Sequence, residues 1–305
     1  MNGKEFKRSK GKKKETNRVS TQTTEYSSSL IGHEMVYKSY HLNNTDDLRA
    51  LKEFSKEITE ISSNSAAIDH VCHLKKVENE GSNPHRICSY QYSTRNDGGN
   101  ERGRKCYFLS FGLSDSDFTF ETELSNPPYS CRGYAFDPKM DHSLKVNNNL
   151  MFLPKAAHSS YVENNINNNN GWDNISIPEF RKFLNQDLFL LKMNCNGCEY
   201  SLAYDIIYHD LNFLQRVTQL NLQLHFSDKI MQSENDVYSL GRLYRLLKLS
   251  KFTLVHNDHV QCSQEEERRR SSCHPLLIKA GFDCQSRCQR FHFAKLTLSD
   301  ILQGS

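Results

Sequence analysis

The sequence predicts an α/β fold: a mostly parallel sheet with helices on both faces. Three observations predict it. From Cys106 onward, short apolar segments alternate with amphipathic ones, as strands joined by crossover helices do. One apolar segment, Leu188–Met193, reads LFLLKM, a near-continuous run of the kind found in strands buried on both faces. Two other short runs stop on polar punctuation, Tyr107–Phe111 at Gly112 and Tyr134–Phe136 at Asp137. In an open α/β sheet that is where the ligand crevice lies, outside the carboxyl ends of the strands.

The elements follow in order. The first 45 residues are rich in Lys, Ser and Thr and read as a disordered extension. Leu48, Leu51, Phe54, Ile58 and Ile61 recur every three or four residues, which predicts an amphipathic helix with Asn44, Thr45 or Asp46 as cap. Val71 to Arg104 reads as irregular, broken by Gly81, Pro84 and Gly98-Gly99. Cys106–Phe111 is a strand. Asp115–Ser125 is a short helix that Asn126-Pro127-Pro128 ends. Arg132–Phe136 and Leu150–Ala156 are strands. The asparagine-rich stretch His158–Asn174 is a loop, because asparagine is a poor former of helix and strand alike. Ile177–Leu184 is a helix with Ser176 as cap and Pro178 in its first turn. Glu199–His209 is a helix and Thr218–Phe226 a strand. Asp236–Leu249 carries Val237, Leu240, Leu243, Leu246 and Leu247 on one face, the pattern of an amphipathic helix. Phe252–His256 and Arg290–Leu296 complete the strands.

Composition limits function. Eight basic and two acidic residues fall within the first 18, while the whole chain of 305 residues carries only +3. The remainder is therefore slightly acidic, which argues against a nucleic-acid groove across the fold. The basic tail suits either an acidic partner or a solubilising extension. No apolar run approaches the ~20 residues of a membrane helix. The N-terminus has no apolar core behind its basic region, so the chain as written reads as soluble, cytosolic or nuclear. Ten cysteines and the sequons Asn43-Asn44-Thr45 and Asn174-Ile175-Ser176 suit an oxidising compartment instead. An upstream segment carrying a membrane anchor, with residence in the secretory pathway or Golgi, reconciles the two.

Several constellations carry chemistry. Asp137 lies 25 residues beyond Gly112, a spacing at which an acid grips ribose hydroxyls in nucleoside-binding folds. Leu190–Tyr200 reads LLKMNCNGCEY, a buried strand running through a polar turn at Gly197 into a helix. It suits a crevice-lining turn or a plain strand–turn–helix. Cys195 and Cys198 form C-x-x-C, with Cys284 and Cys288 downstream. A four-cysteine zinc site, a thioredoxin-like redox pair and simple buried thiols are all open. His225 ends a strand and is a candidate general base or a structural histidine. Glu265–Arg270 reads as a solvated charge run, and Arg268–Ser272 as a basic phosphorylation motif. The chain lacks the phosphate-loop pattern G-x-x-x-x-G-K-[ST], the H-E-x-x-H motif and the G-x-S-x-G elbow. Their absence disfavours nucleotide hydrolysis, zinc proteolysis and α/β-hydrolase chemistry.

Five segments occur in one order: CYFLSFGLSDSDFTFE (Cys106–Glu121), YAFDP (Tyr134–Pro138), ISIPEFRKFL (Ile175–Leu184), LLKMNCNGCEY and TQLNLQLHF (Thr218–Phe226). Together they resemble the animal methyltransferase-like proteins that are distant relatives of FkbM methyltransferases, over roughly residues 68–298. The resemblance implies a class I, Rossmann-like fold with a mostly parallel seven-stranded sheet that binds S-adenosylmethionine. It divides the chain into a basic extension (1–46), a lead-in helix (47–67) and a methyltransferase-like domain (68–298). Ser110, Phe111, Gly112, Phe136 and Asp137 would hold the cofactor, and Asn194, Glu199 and His225 become the catalytic candidates. No metal is implied, and the methyl acceptor is unspecified. The family shows "MDIEG" and "LE.H" where this chain has Asn194, Asn196 and Gln223. An amide keeps an acceptor oxygen but cannot serve as a base. A catalytically degenerate relative acting as a binding module is therefore the alternative.

Overall fold

The computed structural model describes residues 44–63, 74–77, 85–88, 106–113, 118–157, 174–195, 197–227, 230–231, 233–260, 273–283 and 288–296. The basic tail, the asparagine-rich loop (except Asn174), Asn196, Cys284, the run Glu265–Arg270 and the motif Arg268–Ser272 lie outside them.

The strands are β1 (Leu74–Val77), β2 (His85–Cys88), β3 (Tyr107–Phe111), β4 (Arg132–Phe136), β5 (Leu144–Lys145), β6 (Leu150–Leu153), β7 (Ala156–Ala157), β8 (Asn174–Ile175), β9 (Leu188–Met193), β10 (Val217–His225), β11 (Thr253–His259) and β12 (Cys288–Ala294). The helices are α1 (Asn44–Ser63), α2 (Thr119–Ser125), α3 (Ile177–Leu184), α4 (Cys198–His209), α5 (Glu234–Leu249) and α6 (Pro275–Ala280), with a 3₁₀ turn at Phe213–Arg216.

The main sheet runs β11-β12-β10-β9-β3-β4-β6-β5. Its five central strands, β6, β4, β3, β9 and β10, are mutually parallel. β12 is antiparallel to both β10 and β11, and β5 is antiparallel to β6. The sheet thus has eight strands among the described residues rather than seven. The addition is β5, two residues long, whose two side chains are both exposed. From β3 the chain steps outward through β4 to β6. It then returns to the other side of β3 and lays down β9 and β10. Strand order therefore reverses between β3 and β9.

Side chains of β3 alternate between two cores. Leu109 and Phe111 join Leu191, Met193, Leu222 and Leu224 under α1, α4 and α5. Phe108 joins Phe120, Leu124, Ala135 and Phe152 on the other face. α1 belongs to the first core through Leu51 and Phe54. It crosses α5 where Gly241 leaves room: a Cβ there would lie 2.2 Å from the Asp47 carbonyl oxygen. Fully buried Asp47 accepts hydrogen bonds from Arg242 (Nη2, 2.7 Å) and Arg245 (Nη1, 2.9 Å). Burial works against the Arg242 charge, but Asp47 outweighs it and raises the guanidinium pKa.

Sequence and structure part in several places. The expected strand Leu150–Ala156 is divided at Pro154 into β6 and β7, and β7 pairs with β8 in a separate two-stranded sheet. The supposedly irregular lead-in contains the antiparallel hairpin β1–β2. α5 starts two residues early because Ser233 and Asp236 form a reciprocal capping box, with Asp in the place usually held by Glu or Gln. α6 begins at Pro275. Ser176 does precede α3, but its side chain makes no capping bond.

Candidate functional site

The carboxyl ends of β3, β4 and β9 meet where strand order reverses. In such folds this is the ligand crevice. Gly112 follows β3 with φ +77°, a left-handed conformation open to glycine without strain. Its N–H donates to the Phe136 carbonyl at 2.9 Å, stitching it to the end of β4. On its other side the Asn194 N–H donates to the Phe111 carbonyl at 2.8 Å.

Two carboxylates brace the turns around this point. Asp137 accepts the Leu113 N–H on Oδ2 (3.0 Å) and the Lys139 N–H on Oδ1 (2.8 Å). It retains 8% exposure. A carboxylate offers about four lone-pair sites, so these two bonds leave acceptor capacity. Glu199 does the same for the next turn, accepting from Cys195 N and Gly197 N, each at 2.7 Å. It is fully buried. Glu199 is thus a brace at the start of α4, sealed from the crevice.

The remaining predicted residues lie beneath or beside this edge. Phe111 and Phe136 are buried and stack with centroids 4.5 Å apart, and Phe180 of α3 meets Phe136 edge-on. They form a floor rather than a wall. Ser110 points to the opposite face, where its hydroxyl donates to Glu121. Asn194 sits half-buried at the end of β9. His225 ends β10, on the far side of β9 from β3 and β4. It lies across from Cys288 of β12, with Nδ1 3.3 Å from the Cys288 sulfur. Its backbone N–H and C=O both bond the Tyr200 hydroxyl. Gln223 accepts from Arg290 at 3.1 Å.

Sequence reasoning overlooked one buried cluster. Lys192 donates to Glu121 at 2.7 Å and lies over the Phe120 ring, and Ser110 shares the same carboxylate oxygen. The signal was present: a single lysine within LFLLKM needs a partner if that strand is buried on both faces. A second cluster lies between β2 and the far strands. Gln219 of β10 accepts from the Cys88 N–H (2.8 Å) and donates to its carbonyl (3.2 Å), while Asn221 donates to the Arg86 carbonyl (3.1 Å). Amides on the polar face of β10 thus hold the hairpin as backbone would. Burial pushes the His85 pKa well down, assisted by nearby Lys192, Arg290 and His292. Burial chiefly, with His256, lowers His292 to about 3.

Two disulfides have both partners described. Cys106–Cys131 joins the amino ends of β3 and β4, and Cys195–Cys198 spans the turn into α4. Cys195 and Cys198 are bonded to one another, so in this structure they are not free thiolates for the four-cysteine zinc site that the spacing left open. Cys88, Cys273 and Cys288 are disulfide-bonded as well. No helix among the described residues is long and apolar enough to cross a membrane.

No protein-family model matches the chain, and no curated protein does. Two solved structures are similar to it. One is the plantazolicin methyltransferase BamL in complex with a triazolic desmethylPZN analog and SAH, with 9% identity, 86% of this chain and 98% of that one covered, and a TM-score of 0.32. The other is the plantazolicin methyltransferase BpumL in complex with SAH, with 10% identity, 86% and 100% covered, and a TM-score of 0.27. These TM-scores are too low to establish a common fold.

Proposed function

We propose that this chain is a class I, Rossmann-like protein that binds S-adenosylmethionine at the carboxyl edge of β3, β4 and β9 and transfers its methyl group to an acceptor. The observation that carries the reading is the pairing of Gly112 with Asp137. A side-chain-free residue stands at the reversal of strand order, and a largely buried carboxylate, 8% exposed, ends the neighbouring strand. The fit is good on two counts. At Gly112 the space a side chain would take is filled by the Asn194 backbone, which brings the tips of β3 and β9 together at the edge where the cofactor would lie. Asp137 keeps lone pairs for ribose hydroxyls after bracing its own turns. The bound cofactor would supply an electrophilic methyl on a sulfonium. The chain's own contribution is then to orient acceptor and methyl in line.

A second reading is favoured by the state of the polar groups. Glu199 is fully buried and braces two backbone donors, and positions 194, 196 and 223 carry amides. Such a chain keeps the nucleoside site and acts as a binding module. The test is calorimetric titration of S-adenosylhomocysteine into the full chain, followed by a methyl-acceptor screen with labelled S-adenosylmethionine. Micromolar binding with an accepted methyl supports the enzyme. Binding without turnover, with activity created or binding tightened by Asn194→Asp, Asn196→Glu and Gln223→Glu together, supports the module; an inert triple variant leaves the amide argument without support. No binding by folded protein rejects both.

A further inference from the structure

We propose that Cys195–Cys198 is a redox-active disulfide that accepts two electrons from a dithiol. This goes beyond the cofactor reading and does not depend on it. The pair lies in the turn between β9 and α4, with Cys198 the first residue of the helix. Both cysteines are partly exposed; in the other fully described bridge Cys106 is also partly exposed but Cys131 is buried completely. A thiol therefore has access to the sulfurs of the first bridge.

The bridge also carries little structural duty. It closes a separation of three residues, against 25 for Cys106–Cys131. Short loops lose little chain entropy on closure, so such a link does little to restrain the unfolded chain. The turn is meanwhile held by other bonds. Glu199 accepts from Cys195 N and Gly197 N, and Asn194 N–H bonds Phe111. Opening the bridge leaves these in place.

The exchange balances as follows. A thiolate of the dithiol attacks Sγ of Cys195, forming a mixed disulfide and expelling Cys198 as thiolate. The first residue of a helix favours that negative charge. The second thiol of the reductant then attacks the mixed disulfide at the reductant's sulfur, releasing Cys195. The reductant leaves as its disulfide, and two protons reside on the protein thiols. The Glu199 carboxylate lies within 4.8 Å of both sulfurs. Its charge acts against the thiolate that the helix start favours, so the ease of opening rests on access and on the small loop rather than on thiolate stabilisation.

The full chain is equilibrated in graded ratios of reduced to oxidised dithiothreitol, alkylated, and read peptide by peptide by mass spectrometry, with circular dichroism in parallel. Cys195 and Cys198 become alkylated at a ratio about tenfold or more lower than Cys106 and Cys131. Near-ultraviolet dichroism is unchanged, and the pair closes again in oxidised buffer. The proposal is overturned if the pair opens only together with loss of dichroism, or is alkylated with no reductant added. The double variant Cys195→Ser/Cys198→Ser checks structural duty. It should keep the wild-type dichroism, and its collapse would make the bridge a staple instead.

Discussion

Gly112 and Asn194 meet backbone to backbone at the reversal of strand order. A Cβ added to Gly112 would lie 1.8 Å from the Asn194 carbonyl oxygen and 2.4 Å from its carbonyl carbon. No flexible side chain is available to yield. The tip of β3 therefore fixes the height of the β9 turn, and with it the floor of the crevice.

Gly112→Ala tests this contact. The substitution adds a collision with backbone to a positive φ, so both the overpacking and the left-handed penalties apply. Together they predict a loss of about 2–5 kcal/mol. Urea unfolding followed by fluorescence of the lone tryptophan and by circular dichroism reads the change. A loss below about 0.5 kcal/mol, the usual scale of an inert surface substitution, would show that the turn yields freely.

Asp137→Asn separates bracing from binding. The sequence alone suggests that Asp137 is free for a ligand, so that its loss leaves stability nearly unchanged. The bonds from Leu113 and Lys139 predict otherwise. An amide presents one acceptor and one donor group, so one backbone N–H loses its partner. Stability should fall by about 1–3 kcal/mol, and affinity for S-adenosylhomocysteine should fall at least about tenfold, equivalent to 1.4 kcal/mol. Unchanged affinity in a destabilised variant would assign Asp137 to bracing alone.

Legibility follows from periodicity and burial. Leu188–Met193 and Ile177–Leu184 coincide with the structure because their signals are local: one continuous apolar run, and one helix with Pro178 in its first turn. The hairpin β1–β2 was hidden because polar side chains of β10 hold it. In LKKV and HRIC no clean alternation betrays it, and its partners Gln219 and Asn221 stand more than 130 residues away. Glu199 illustrates the limit at the site. Its place in the turn motif marks it as functional, yet only three-dimensional packing reveals two backbone donors already on its oxygens. Asp47 was hidden for a related reason. At the start of a helix it reads as an ordinary first-turn acid, and its two arginines come from α5.

Asp47→Ala should therefore be far costlier than its helix-start position suggests. Removing the acid leaves Arg242 buried without a carboxylate, with Tyr204 beside it, a loss of about 3–5 kcal/mol. Asp47→Ala paired with Arg242→Met restores an uncharged contact and should recover much of it. Thermal unfolding of the single and double variants decides the matter. A double variant no more stable than Asp47→Ala would mean that the charge left behind is not the source of the loss. Chains lacking α1 should also lose stability, since Leu51 and Phe54 lie in the main core.

Acid should loosen the hairpin before it titrates the carboxylates. The His85 ring lies tilted against Phe120, centroids 4.7 Å apart, and faces Lys192, Arg290 and His292, while His292 bonds Gln219 and faces His256 and Arg86. Both are held neutral, their folded pKa values pushed below the usual 6.5. Above that value neither state binds the proton, so the histidines leave stability flat. Below it the unfolded chain takes up protons that the folded chain refuses, and stability falls by about 1.4 kcal/mol per pH unit for each histidine. For His292 the fall continues toward about 3, its folded value. Asp258, lowered by its hydrogen bond and charge contact with His256 although burial acts the other way, adds a loss only below the ordinary carboxylate range. The interval between 6.5 and about 4 therefore belongs to the histidines. Urea midpoints measured across it should decline steadily in the wild type. His292→Gln should shallow the slope by about one proton per molecule. A wild-type midpoint that stays level from pH 7 to 5 would mean that these rings are solvated, and that the hairpin opens without unfolding the sheet.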